Sequence, residues 1–192
     1  MSSTFINDFC PLPSSKPFIS RLINASSNND PILICGPSAC GKSILARYLF
    51  NNQFSKPTSQ RFIRVQLSDH IDARQLIGQY CCSEIPGIFI VPSSFLIRFY
   101  SFKICYTSHQ GEFVWRPGPI AEALLYSEDV ANKIWLLLED VQNASPDSLS
   151  LIDSLLETRR LWLPHVQRTI EWSSSLGFQL ILNCTSSVSS HE

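Results

Sequence analysis

Short apolar runs alternate along this chain with segments in which apolar residues recur at helical spacing. The runs have the length and the continuous apolar character of strands that are buried on both faces of a sheet. The predicted strands cover residues 31–35, 61–67, 134–140 and 178–182. The predicted helices cover residues 42–50, 73–79, 120–126 and 145–157. This alternation predicts a three-layer α/β fold with a mainly parallel sheet.

The first 30 residues differ from the rest, because they are rich in Ser, Asn and Pro. They contain one short apolar run, at residues 18–23, which predicts a helix packed beside the first strand. We interpret residues 1–30 as a lead-in and residues 31–192 as one domain. A chain of 192 residues has the length of a single domain of ordinary size.

The composition limits the choice of partners. Hydrophobic residues make up 44% of the chain and charged residues 16%, which indicates either a surface that meets a partner or a stretch foreign to the fold. The net charge of −1 gives no electrostatic reason to expect nucleic acid or an anionic membrane as a partner. We therefore expect neither a direct sequence-specific contact with nucleic acid nor a membrane association.

Cysteine usage favours a reducing, intracellular location. The seven cysteines are an odd number, without a C-x-x-C pair, and the four histidines have no ligand spacing. These patterns predict neither a zinc site nor a disulfide framework. The N-terminus also lacks the basic head and apolar core of a secretory signal.

A glycine-rich loop between the first strand and the next helix carries the strongest chemical signal. It matches the phosphate-binding pattern G-x-x-x-x-G-K-[ST], in which glycines let successive N–H groups point at phosphate oxygens. Lys42 is predicted to lie along the β- and γ-phosphates of ATP, and Ser43 to give its hydroxyl to Mg²⁺. The loop residues are Gly36, Pro37, Ser38, Ala39, Cys40, Gly41, Lys42 and Ser43.

The apolar strand at residues 134–140 ends in two carboxylates, as a nucleotide-hydrolysing enzyme of this kind needs. The usual order is Asp then Glu, whereas here Glu139 precedes Asp140. We therefore expect the Glu139 carboxylate on the side of the magnesium ion. Asp140 then stands in the place of the base that activates water, and its side chain is shorter than that of the usual Glu by about 1.3–1.5 Å. A misplacement of about 1 Å can cost roughly a hundredfold in rate, so ATP binding is better supported than turnover.

Five segments, in this order, resemble an AAA ATPase module of the dynein-related branch, and within that branch the midasin family. They cover most of residues 31–185, and the stretches at residues 78–80 and 112–115 are not general features of phosphate-binding loops. The Glu-Asp order also resembles one module of that family, the first. The segments are GPSACGKS, VQLSDHIDARQLIGQY, EFVWRPGPIAEAL, WLLLEDVQNASPDSLSLIDSLLETRRLWLP and GFQLIL.

The resemblance implies a role as well as a fold. It implies a P-loop AAA core that works beside neighbouring modules of a ring, in the nucleolus and nucleoplasm. There the ring uses ATP to strip assembly factors from precursor particles of the large ribosomal subunit. It also implies that a polar residue at the end of the strand that follows the carboxylates senses the γ-phosphate, with Asn183 as first choice and Thr185 as second.

Two departures from the family pattern stand out. Residues 88–111 separate Pro-Gly from Glu-Phe-Val-Trp, two motifs that are adjacent in the family. This 24-residue block contains no acidic residue. A retained intron translated in frame, an inserted partner-binding loop and a membrane anchor remain open as interpretations. At the other departure, no residues match the small helical lid and the arginine that reaches a neighbouring subunit. We therefore expect weak binding and slow or absent hydrolysis from this chain alone.

The leading hypothesis is an AAA module of a remodelling ATPase in ribosome assembly. A noncatalytic nucleotide-binding or structural module, or an inactive fragment, is the alternative from another class. A GTPase is disfavoured because the guanine-specific N-K-x-D motif does not occur in the sequence.

Overall fold

A computed structural model describes residues 16–53, 60–82, 113–129, 132–172 and 177–186. The strands are β1 Ile32–Gly36, β2 Gln60–Gln66, β3 Gly78–Cys82, β4 Phe113–Pro117, β5 Lys133–Glu139, β6 Arg160–Leu163, β7 Arg168–Glu171 and β8 Phe178–Thr185. The helices are α1 Lys16–Ser27, α2 Lys42–Gln53, α3 Ala73–Ile77, α4 Pro119–Ser127 and α5 Pro146–Thr158. Residues 88–111 lie outside the described ranges, so the interpretations of that block remain predictions.

The central sheet consists of four parallel strands in the order β1-β8-β5-β2. Strand β8 therefore lies between β1, which leads into the glycine-rich loop, and β5, which ends in the carboxylates. Neighbouring strands in a sheet are about 4.8 Å apart, so β1 and β5 are separated by about twice that distance. The carboxyl ends of all four strands meet at one edge of the sheet, which is where the candidate site lies.

Helices cover both faces of this sheet. On one face, α1 and α2 pack on β1 and on alternate residues of β5, including Trp135 and Leu137. On the other face, α3, α4 and α5 pack on Ile134, Leu136 and Leu138 of the same strand. The period-two alternation of β5 thus divides its side chains between two cores. The prediction of a three-layer α/β fold with a parallel sheet is confirmed.

Capping fixes the start of α5. The Ser145 hydroxyl accepts a hydrogen bond from the Ser148 N–H at 3.3 Å, and Pro146 occupies the first turn. Both serine hydroxyls also lie 2.8 Å from the carbonyl oxygen of Ile71, to which they donate. The same contacts that begin α5 therefore attach it to the loop before α3.

One helix is shorter than its sequence pattern predicts. The helix predicted over residues 73–79 ends at Ile77, and β3 begins at Gly78, so the prediction was wrong for residues 78 and 79. Gly78 has a φ of 143°, which side chains rarely adopt. A Cβ at this position would lie 2.5 Å from the ring of Trp115. The close approach of the indole therefore requires a glycine at position 78, where the helix has ended.

Two antiparallel pairs of strands, β3-β4 and β6-β7, complete the described structure. They contact each other through His165, whose ring stacks on Trp115 with centroids 4.9 Å apart. The sequence analysis did not predict either pairing. Among the described residues, no helix is both long enough and apolar enough to cross a membrane.

Candidate functional site

The glycine-rich loop joins the end of β1 to the start of α2, and its backbone adopts conformations that need small residues. Gly41 has a φ of 88° and Ala39 a φ of 60°, both in the left-handed region. A Cβ on Gly36 would lie 3.1 Å from the sulfur of Cys40, so a larger residue there would crowd the loop. The loop runs into the N-terminal end of α2, where N–H groups and the helix dipole favour an anion.

Lys42 is folded back over this loop. Its ammonium donates hydrogen bonds to the carbonyl oxygens of Gly36 at 3.0 Å and Pro37 at 2.7 Å. The residue is only 9% exposed, and within the described part of the chain no carboxylate forms an ion pair with it. Buried charges in proteins are usually paired with an opposite charge. The loop therefore presents a mostly buried cation that lacks a described anionic partner.

Glu139 lies opposite the start of α2. It is the last residue of β5, and the alternation that directs Trp135 and Leu137 to the α2 face directs Glu139 there too. The Ser43 hydroxyl donates to one of its carboxylate oxygens, and Nε of Arg64 donates to the other. The residue is 3% exposed, so its charge is buried among these donors.

Asn183 connects the two sides of the site from β8. Its side-chain amide donates to Ser43 Oγ at 3.2 Å and to Glu139 Oε1 at 3.3 Å. Its carbonyl oxygen accepts from the backbone N–H of Asp140 at 3.1 Å. The amide is therefore positioned to respond to any change at Ser43 or Glu139.

Asp140 lies around the end of the strand from Glu139. Its backbone is left-handed, with φ 55° and ψ 47°, and a short 3₁₀ turn follows it. Its carboxylate accepts hydrogen bonds from Gln66 at 3.2 Å, Gln142 at 3.3 Å and Thr185 at 3.4 Å. Within the described part of the chain these neutral groups hold Asp140, whereas Ser43 contacts Glu139.

The structure thus brings Ser43, Glu139 and Asn183 into mutual hydrogen-bond contact and places Asp140 and Thr185 beside them. The hydroxyl and the carboxylate are hard oxygen ligands of the kind that Mg²⁺ prefers. Among the described residues there is no cluster of three or more His, Cys, Asp or Glu side chains that could hold a metal. A small number of protein ligands is what a magnesium site needs, because phosphate and water oxygens complete the coordination of the ion in nucleotide sites.

Sequence reasoning missed two site residues, Arg64 and Gln66, which contact the two carboxylates from β2. A signal for them exists in the sequence, because they are polar residues that alternate with apolar ones near the end of the strand. Their partners could be identified only from the pairing of β2 with β5, in which Gln66 lies opposite Glu139.

Comparison with known proteins places the chain among AAA domains. The family described as AAA domain (dynein-related subfamily) matches residues 31–185. The chain is 31% identical over 156 residues to Midasin of Dictyostelium discoideum, and 28% identical over 135 residues to Midasin of Giardia intestinalis. These matches cover 81% and 70% of this chain, but the chain spans only 2% of the length of each relative.

Solved structures agree on the fold. A protein of Cytophaga hutchinsonii proposed to be an ATPase superposes with a TM-score of 0.53 at 16% identity, covering 92% of this chain and 40% of that one. NtrX from Brucella abortus superposes with a TM-score of 0.51, also at 16% identity, covering 94% of this chain and 32% of that one. At these identities the likeness shows the fold alone.

Proposed function

The chain belongs to the dynein-related subfamily of AAA domains as a midasin-like AAA module, and from that premise we propose that its glycine-rich loop binds ATP together with Mg²⁺. In this proposal the loop N–H groups and Lys42 hold the phosphates. Ser43 and Glu139 hold the magnesium ion, which when bound offsets phosphate charge. Asn183 senses the γ-phosphate through its contacts with both of these residues.

The proposal rests on the positive charge of Lys42 in the loop, for which the described residues supply no anionic partner. Lys42 is mostly buried and hydrogen-bonded to carbonyl oxygens, and its two described oxygen acceptors carry no full negative charge. An ammonium has three N–H donors. Two bind the carbonyls, and the third described acceptor is the sulfur of Cys40 at 4.0 Å, a weak acceptor that a phosphate oxygen can replace. Nucleotide phosphates beside the N-terminus of α2 would supply the missing anion.

We propose slow hydrolysis for the isolated chain. Asp140, at the position of the water-activating base, is one methylene shorter than Glu and is held by Gln66, Gln142 and Thr185. A noncatalytic nucleotide-binding module is the second candidate function, and the same contacts favour it. A measured turnover on the order of 1 s⁻¹ would contradict both expectations.

We also propose the setting in which the module works. The likeness to two proteins named Midasin supports a place in a ring of AAA modules that acts on precursor particles of the large ribosomal subunit in the nucleus. The chain spans only a small part of those relatives. This role is therefore proposed for the chain, and the fold alone does not show it.

Titration with a fluorescent ATP analogue in the presence of Mg²⁺ tests the binding proposal. We expect Lys42→Ala to weaken binding about 10- to 100-fold, the equivalent of one charge-assisted hydrogen-bond interaction. Lys133→Ala is the matched control, because Lys133 is an exposed lysine at the opposite end of β5 from Glu139. Equal affinities of the wild type and Lys42→Ala would remove the functional interpretation of the loop.

A further inference from the structure

Arg64 is the residue at this site that neither the loop pattern nor the carboxylate pattern includes. It lies on β2, where its Nε donates to Oε2 of Glu139. The arginine side chain is 60% exposed, whereas the carboxylate that it contacts is 4% exposed. One end of this ion pair is thus fixed in the protein interior, and the other end extends into solvent.

The charges around Glu139 make this contact unusual. Ser43 and Asn183 are neutral donors, and Lys42 donates to the loop carbonyls instead. Within the described residues, Arg64 is therefore the cation that compensates the buried carboxylate. A magnesium ion bound by Ser43 and Glu139 would need the same carboxylate, so arginine and metal compete for one negative charge.

We propose that Arg64 is a positioning residue that holds Glu139 as its counter-ion before nucleotide binds and is displaced when Mg²⁺ enters. Arg64 then sets the magnesium affinity of the site. Its positive charge also offsets the repulsion between Glu139 and the phosphates of nucleotide that arrives without metal. The inference rests on the proposed binding of Mg²⁺ and ATP and assigns the regulation of that same site.

The proposal predicts two changes of opposite sign when the positive charge is removed. In Arg64→Gln, Glu139 has no competing cation, so the Mg²⁺ concentration for half-maximal binding should fall about 5- to 30-fold. In the absence of Mg²⁺, the same variant should bind the nucleotide about 5- to 30-fold more weakly, because the site has lost one positive charge. A residue with a purely structural role would weaken both.

The experiment titrates a fluorescent ATP analogue into the full chain, once in EDTA and once over a series of buffered free Mg²⁺ concentrations. Arg61→Gln is the matched control, because Arg61 is on the same strand but pairs with Glu122 on α4 at 3.5 Å. It should leave both constants within about twofold of the wild type. Arg64→Lys keeps the charge and should lie closer to the wild type than Arg64→Gln does. It serves as a second measurement if the glutamine variant folds poorly by circular dichroism.

Opposite shifts in Arg64→Gln support the proposal, as does an intermediate Arg64→Lys. If both constants weaken, or if neither changes while the wild type still binds with a clear Mg²⁺ dependence, the role of Arg64 is refuted and nucleotide binding stands. If the wild type binds no nucleotide under either condition, the proposed function itself fails, and the inference fails with it.

Discussion

Removing the Asn183 amide should destabilise the folded chain even without nucleotide. The residue is 3% exposed and makes three hydrogen bonds, to Ser43, to Glu139 and from the backbone N–H of Asp140. Asn183→Ala removes all three and leaves no side chain of similar size in their place. No other residue at the carboxyl ends of β5 and β8 is changed.

The expected loss can be worked from these contacts. The partly buried N–H of Asp140 would lose its acceptor at 3.1 Å, and an unsatisfied donor away from water costs about 1–3 kcal/mol at most. Glu139 keeps the donors Ser43 and Arg64, so the lost amide bond there should cost about 0.5–1.5 kcal/mol. The total is about 1.5–4.5 kcal/mol, which a domain with a stability of about 5–15 kcal/mol would survive.

Urea unfolding followed by circular dichroism measures this loss as a change in the free energy of unfolding. Gln142→Ala is the control, because Gln142 also bonds to Asp140 and to the Thr185 N–H, but it is exposed to water. We expect the control to lose less than about 1 kcal/mol, since water replaces its contacts. A loss in Asn183→Ala no larger than that of the control would refute the assignment of a buried connecting role.

The remaining predictions concern packing and pH. Gly78→Ala should cost about 3 kcal/mol or more in urea unfolding, because a Cβ there would meet Trp115 at 2.5 Å at a φ of 143°; unfolding at the wild-type midpoint would contradict this. Burial raises the pKa of Glu122 above its ordinary value of 4.5, and Arg61 opposes the rise only in part. The stability that Glu122 contributes is thus fully present below about pH 4.5 and is lost as pH rises through the raised pKa of the folded state. Glu122→Gln should therefore gain stability relative to the wild type as the pH rises from about 4.5 through that raised pKa. The gain should be less than about 1 kcal/mol because the pair is partly exposed; a difference that does not vary with pH in urea unfolding would contradict this.

The sequence was sufficient to predict the three layers and the mainly parallel sheet. Continuous apolar runs identify strands that are buried on both faces, and the carboxyl ends of parallel strands meet at one edge. At that edge the structure places Ser43, Glu139 and Asn183, three site residues predicted from the sequence, in hydrogen-bond contact. Their roles toward ATP and Mg²⁺ remain predictions.

The lateral order of the strands could not be predicted from the same patterns. Nothing in the apolar run of β2 indicates that it pairs with β5, and this pairing is what brings Arg64 and Gln66 to the carboxylates. The end of α3 was missed for a similar reason. The ring of Trp115, which lies far along the chain from Gly78, excludes a side chain there. Contacts between residues that are distant in sequence leave no local signal in periodicity.

Side-chain length distinguishes the two positions of the reversed carboxylate pair. Helix α2 packs on β5, and the alternation of the β5 side chains directs Glu139 toward a contact with the first turn of that helix. Glu139 makes that contact with Ser43, and an Asp at the same position would fall about 1.3–1.5 Å short. Under the proposed function, the longer side chain of the reversed pair lies beside Ser43, on the side of the magnesium ion, and the shorter one stands at the position of the water-activating base. The contacts proposed for binding ATP with Mg²⁺ are then kept more fully than those proposed for hydrolysis, as the proposed slow hydrolysis requires.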